Sequence, residues 1–325
     1  MPSNEPAMDK TLASPYTATR SSTMKKSRRL IVGQDWQLYA LLSLPMLYFL
    51  IFKYIPMYGV TIAFKDFNMF QGIWKSPWVG LDAFREIFLM KDFYKVLRNT
   101  MLLNLLDLLV SFPAPIILAV LLNEIRIKWF KKGAQTVLYL PHFISWVIIG
   151  GMVYQLLSTN TGLVNILLKS SGMKAIPFLT EPIYWVITYV GAGVWQNAGW
   201  GTIIYLAALA GINKELYEAA AVDGAGRLRK IWNITLPGIK PTIMILLIIN
   251  IGHMASIGFE RPFVLANPLV TDVSEVISTF VYKVGIHSAR FTIATAIGLF
   301  QAVVGLIFLL SSNYISKKVT DQGIW

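Results

Sequence analysis

Apolar residues in this chain gather into six long blocks, over about 37–63, 97–122, 136–157, 183–210, 241–259 and 291–314. Each block can form a helix long enough to cross hydrocarbon, which takes roughly 20 residues. The pattern predicts an all-α integral membrane protein of six transmembrane helices. The first block is interrupted by Lys53 and Pro56, which predicts a broken or interfacial outer half. Between blocks one and two, aromatic residues from Phe64 to Tyr94 alternate with charges, as at a headgroup boundary. That spacing predicts an amphipathic surface helix over about 80–95. Between blocks five and six, Asn267-Pro268 is a turn signal and Val273 to Val284 has helical spacing. In the last block Ala294, Gly298 and Ala302 make a small-residue stripe suited to close helix packing or to a subunit interface.

Composition agrees with a membrane chain. Hydrophobic residues make up 55% and charged residues 14%, where a soluble domain carries about 25% charged. Orientation follows from the basic residues. Segments 1–36, 123–135, 211–240 and 315–325 together hold 17 Lys and Arg, and the alternate segments hold 11 with eight acids among them. This predicts that both termini and the 211–240 loop are cytoplasmic. The net charge of +12 then reflects basic flanks beside anionic lipid rather than a nucleic-acid surface. No cysteine is present, so disulfides and thiolate metal sites are excluded. Residues 1–35 read as a disordered basic cytoplasmic tail without signal-peptide features, 36–318 as the transmembrane domain, and 319–325 as a short cytoplasmic C-terminal tail.

The loop between blocks four and five carries its own local chemistry. Asn213 is placed to cap a helix, Glu215 and Glu218 suit its first turns, and Ala219, Ala220 and Ala221 favour it. Gly224 can leave that helix with positive φ. A second helical segment starts at Arg227, Arg229 and Lys230, and Pro237 and Pro241 are expected to close it. The register is E-A-A, three residues, Gly, nine residues, Ile, one residue, Leu-Pro. Its carriers are Glu218, Ala219, Ala220, Gly224, Ile234, Leu236 and Pro237, with Asp223 beside the glycine. This spacing resembles the coupling loop of binding-protein-dependent ABC transporter permeases. Trp78 to Phe84, Leu97 to Thr100 and Phe178-Leu179 resemble the sugar branch, and residues 53–67 and 272–282 a subgroup for complex oligo- and polysaccharides that includes alginate-type importers.

The resemblance covers about residues 35–318. It implies a type I ABC importer permease fold, with a cytoplasmic coupling helix between spans four and five inserted into an ATPase cleft. It implies import of a saccharide delivered by an extracytoplasmic binding protein, a second permease subunit, and an ATPase dimer. The chain itself would need no cofactor; ATP and Mg would be bound by the ATPase partner. In the family pattern Glu218 contacts the ATPase and Gly224 permits the tight turn.

Nothing in the chain matches a nucleotide-binding loop, a zinc-protease motif or a nucleophile elbow, and His142, His253 and His287 are scattered. Polar residues inside the blocks are candidates for a substrate pathway, because such groups are costly in lipid unless satisfied. Asn250 and His253 share a face of block five; Asn197, Gln301 and the aromatic Trp195 are weaker candidates. Asn104 and Asp107 also share a face and can serve each other's surroundings. The reading from another class is an integral membrane enzyme acting on lipid or glycan through Asp107 and His253.

Overall fold

The computed structural model describes residues 36–320, with side chains to position 318. The basic tail 1–35 and residues 321–325 lie outside the described residues. Two compact units divide between Tyr58 and Gly59. In the first, helix α1 (Trp36–Phe49) continues through a widened π-type turn, Leu50–Tyr54. Pro56, which has no N–H to donate, coincides with this change of winding. There Ile55 N–H reaches five residues back to the Leu50 carbonyl. The interruption expected at Lys53 and Pro56 is thus a change of pitch, not a break.

In the second unit the principal helices are α2 (Asp82–Leu89), α3 (Lys91–Glu124), α4 (Lys128–Phe143), α5 (Trp146–Leu157), α6 (Leu163–Ser170) and α7 (Pro182–Ala210). They are followed by α8 (Lys214–Val222), α9 (Arg227–Gly252), α10 (Glu260–Leu265), α11 (Ile277–Tyr282) and α12 (Phe291–Thr320). No strand occurs among the described residues; Lys65 and Trp78 make an isolated bridge. Trp36–Phe64, α3, α9 and the Phe291–Lys318 part of α12 have the length and apolarity of membrane spans. A fifth is reached if α4 and α5, bent by 103° at their junction, count as one. Helix α7 is 29 residues long and carries no charged side chain, which gives it roughly 43 Å of length. Its Trp, Tyr, Asn and Gln residues lower its hydropathy below that of the others.

Several boundaries differ from the sequence pattern, each for a visible reason. The helix expected over 80–95 breaks at Met90, whose extended backbone ends α2 and starts α3. The run Val273 to Val284 is interrupted at Glu275 and Val276. Asn99 Nδ2 donates to the Asp272 and Glu275 carbonyls at 2.8 and 3.0 Å, and Thr100 Oγ1 accepts the Ile277 N–H. Side chains of α3 therefore satisfy the groups that the break leaves open. Helix α9 passes through Pro237 and Pro241 instead of closing there. The turn Ile231–Thr235 is already widened, with Leu236 N–H bonded to the Ile231 carbonyl, so the missing Pro237 donor falls where the ladder has shifted.

Helix α9 ends at Gly252, short of the expected 259. The irregular backbone that follows is served by neighbouring helices. Asn104 Nδ2 donates to the Met254 and Ser256 carbonyls, and Gln301 Nε2 to the Ala255 carbonyl at 2.8 Å. Non-helical backbone at membrane depth needs such partners.

The second unit is held by close packing, since lipid offers no hydrophobic drive between helices. A Cβ on Gly199 of α7 would lie 1.9 Å from the Leu138 carbonyl oxygen of α4. One core cluster joins Ala119, Tyr205, Leu209 and Ile239; another joins Leu103, Trp185, Tyr189 and Val270. In the last helix Ala294 is buried against Gly285, while Gly298 and Ala302 line a groove with Gly252.

Candidate functional site

Two regions concentrate polar chemistry. The first is the α8–α9 loop. Asn213 caps α8, its Oδ1 accepting the Glu215 N–H at 3.0 Å. Gly224 adopts φ of +73°, and the end of α8 is closed twice: Gly224 N–H bonds the Ala221 carbonyl and Ala225 N–H the Ala220 carbonyl at 2.8 Å. This is a Schellman closure, which the left-handed glycine makes possible. The Tyr217 and Thr235 hydroxyls are 3.0 Å apart and tie α8 to the root of α9. Glu218, Ala219, Asp223, Gly224 and Pro237 are exposed; Ala220, Ile234 and Leu236 are half-buried. Four large apolar side chains also face outward here: Leu216, Val222, Leu228 and Trp232. The sequence pattern did not separate them from core positions, because exposure depends on what packs above each face.

The second region is a cavity of about 410 Å³ between α3, α7 and α9. Asn197, Asn250 and His253 line it together, with Asn104 and Asp107. Asn250 Nδ2 is bonded to the Leu246 carbonyl of its own helix, and Asn197 Nδ2 to the Gly193 carbonyl and Gln196 Oε1. Gln301 is not on this wall; it lines a neighbouring groove that shares His253. Trp195 is half-exposed and away from the cavity lining, whereas Trp200 lines it and stacks on His142 at 4.7 Å.

The residue that sequence reasoning missed is Arg261. Its Nη1 and Nη2 donate to the two carboxylate oxygens of Asp107 at 2.9 and 3.1 Å, and Nη2 also donates to the Tyr189 carbonyl at 2.7 Å. The guanidinium lies 3.6 Å over the Tyr189 ring. Gly193 makes room for it, because a Cβ there would come within 2.6 Å of the guanidinium carbon. Asp107 sits in a π-type turn of α3, Asp107–Ser111, a local widening that often marks functional positions. Arg261 follows the early end of α9, so the apolar pattern assigned it to a polar loop. Asp107 is therefore paired with a cation, while His253 lines the same cavity. Among the described residues, no group of three or more His, Cys, Asp or Glu could hold a metal ion.

Long apolar helices around a cavity that has amides and an ion pair in its wall mark an integral membrane protein. Residues 94–321 match the family described as binding-protein-dependent transport system inner membrane component, and the chain belongs to that family. It is 46% identical over 292 residues to Protein LplB of Bacillus subtilis (strain 168), covering 90% of this chain and 92% of the relative. It is 44% identical over 303 residues to the polygalacturonan/rhamnogalacturonan transport system permease protein YteP of the same organism, covering 93% and 94%. Among solved structures, a chain of a bacterial ABC transporter involved in import of the acidic polysaccharide alginate is similar at TM-score 0.82 and 44% identity, covering 90% of this chain and 99% of that one. A chain of the bacterial alginate ABC transporter in complex with alginate pentasaccharide-bound periplasmic protein gives TM-score 0.82 at 42% identity, covering 91% and 99%.

Proposed function

We propose that this chain is a membrane-spanning subunit of an ATP-driven importer for an oligo- or polysaccharide of the alginate type. The substrate reaches it from an extracytoplasmic binding protein. The capped α8–α9 loop carries the reading: it presents Glu218, Asp223 and Gly224 beside exposed Leu216, Val222 and Leu228 on one small knob. Such a knob suits a groove on a partner ATPase, where Ala219 and Ala220 allow close approach and Ile234, Leu236 and Pro237 anchor the root. With six spans, α7 and the bent α4–α5 pair each crossing once, both termini and this knob would share one side of the membrane, and the excess of Lys and Arg in those segments favours the cytoplasmic side. A second, homologous permease subunit completes the membrane core, and ATP and Mg are held by the ATPase dimer. The relatives named for polygalacturonan and alginate transport support the substrate class.

In this mechanism the ATPase dimer closes on ATP and moves the docked knob. The Tyr217–Thr235 bond and the continuous α9 pass that motion to the residues that line the cavity. Alternating access follows, with Asn197, Asn250 and His253 on the pathway and Gln301 and Trp195 beside it. The test is purification of the tagged chain from its host membrane, followed by uptake of labelled oligosaccharides in proteoliposomes. An ATPase should co-purify in stoichiometric amount, and uptake should require ATP. A chain that purifies without any ATPase would reject the reading.

A further inference from the structure

The Asp107–Arg261 pair stands where two cavities meet. The 410 Å³ cavity and a second one of about 640 Å³ share Asn104, Asp107, Asn197 and Arg261 in their walls. The two cavities succeed each other along the molecule. On α3 the first extends to Pro115 and the second stops at Asp107. On α7 the first extends to Tyr205, near the knob, and the second back to Tyr189. On the chain from α9 onward, apart from the shared Arg261, the first spans Leu246 to Met254 and the second Ser256 to Glu260. All three segments give the same order, so the four shared residues stand in the wall common to a knob-side space and a far-side space.

The chemistry of that shared wall fits a sugar. Opposed charges cancel in the pair, which leaves planar donors and acceptors with little net field. Asn104 and Asn197 add amides, and the second cavity adds the rings of Trp146 and Tyr189. Arg261 Nε and the Tyr189 hydroxyl are buried without a hydrogen-bond partner among the described residues, so both retain bonding capacity. The side chains of Arg261 and Asp107 are 13% and 22% exposed. Parting such a pair with nothing in its place leaves two poorly solvated charges, which is strongly unfavourable. Adjacent hydroxyls of a pyranose can take both bonds of the guanidinium and both oxygens of the carboxylate.

We propose that Asp107 and Arg261, flanked by Asn104 and Asn197, form a saccharide-contact site in which sugar hydroxyls replace the ion pair as the substrate passes. This rests on the saccharide-import reading above. The pair is then a site that only a hydroxyl-rich or similarly polar ligand opens, and it excludes apolar solutes and bulk leakage between the two spaces.

This chain has no cysteine of its own, so an introduced pair would be its only thiols in the complete transporter. Asp107→Cys with Arg261→Cys removes both charges together and so leaves no orphaned ion. Thiosulfonate linkers of increasing length are applied in proteoliposomes, and uptake of alginate and polygalacturonate oligosaccharides is measured. Linking is expected with reagents no longer than the replaced side chains, to be slowed by oligosaccharide, to cut uptake at least tenfold, and to be reversed by reductant. Linked transporter that moves saccharide at the unlinked rate would overturn the proposal, as would failure to link at any length. Separately, Arg261→Lys keeps the charge and loses the fork. It should raise KM about tenfold, as expected for a lost hydrogen bond to a charged group, with the ATPase still co-purifying. An unchanged KM overturns the proposal whether or not assembly suffers. Unmodified transporter that moves no saccharide would reject the import reading and the proposal with it, whereas active wild type with an unaffected linked form rejects the proposal alone.

Discussion

Tyr217 and Thr235 are eighteen residues apart and share a hydroxyl–hydroxyl hydrogen bond of 3.0 Å that fastens α8 to the widened turn at the root of α9. Thr235 is fully buried, so the bond lies inside the joint between the knob and the long helix. In the proposed mechanism this joint is where a push on α8 becomes movement of α9. Tyr217→Phe keeps the ring and removes the bond, a loss of about 1 kcal/mol. The expected result is normal insertion and ATPase binding with fewer molecules transported per ATP hydrolysed. Uptake and hydrolysis measured on the same proteoliposomes check it; an unchanged ratio assigns the bond to local stability alone.

Gly224 offers a cleaner perturbation of the same knob. A Cβ built there meets nothing within 4 Å, so a side chain is strained only by the positive φ. That strain is about 1–2 kcal/mol for an L-residue. Gly224→Leu and Gly224→Asp should therefore leave the chain inserted while abolishing substrate-stimulated ATP hydrolysis, because the side chain projects toward the docking partner. Wild-type stimulation in both variants would remove Gly224 from the interface.

Sidedness is testable with single cysteines at exposed positions. Leu228, in the first turn of α9, and Leu269, beyond its far end, are 74% and 69% exposed. Leu228→Cys should react with a membrane-impermeant maleimide only from the cytoplasm, and Leu269→Cys only from outside. Reaction of both from one side would mean that α9 does not cross.

Asn250→Ala and His253→Ala probe the knob-side cavity. Both residues line it, and Asn250 Nδ2 already bonds its own helix, so alanine there removes a polar surface without opening a packed core. Uptake rate should fall several-fold while ATPase co-purification and basal hydrolysis stay unchanged. Normal uptake in both variants would move the pathway to the Asn104 and Asp107 face.

What could be read from the sequence was whatever depends on near neighbours along the chain. The Asn213 cap joins residues two apart, and the closure around Gly224 joins residues three and five apart. Residue type and spacing suffice for such contacts. The apolar blocks located the long helices for the same reason, since a membrane span is a property of one continuous segment. Breaks inside those segments were not legible. The 103° bend between α4 and α5 and the end of α9 at Gly252 depend on side chains elsewhere that accept or donate the freed backbone bonds. Asn104 and Gln301, which serve the 254–256 carbonyls, lie about 150 and 46 residues away.

The sequence by itself determined a membrane chain with a capped, glycine-closed knob between its apolar helices. Only the tertiary structure decided that Asp107 faces Arg261 across 154 positions, in the wall shared by two cavities. A lone aspartate in an apolar run and a lone arginine beyond the next-but-two run carry no mark of each other. Their pairing arises because α3, α7 and α10 pack at one point, where Gly193 leaves room for a guanidinium beside the carboxylate. Helix packing, a property of surfaces brought together, sets that point; the order of residues along any one segment does not.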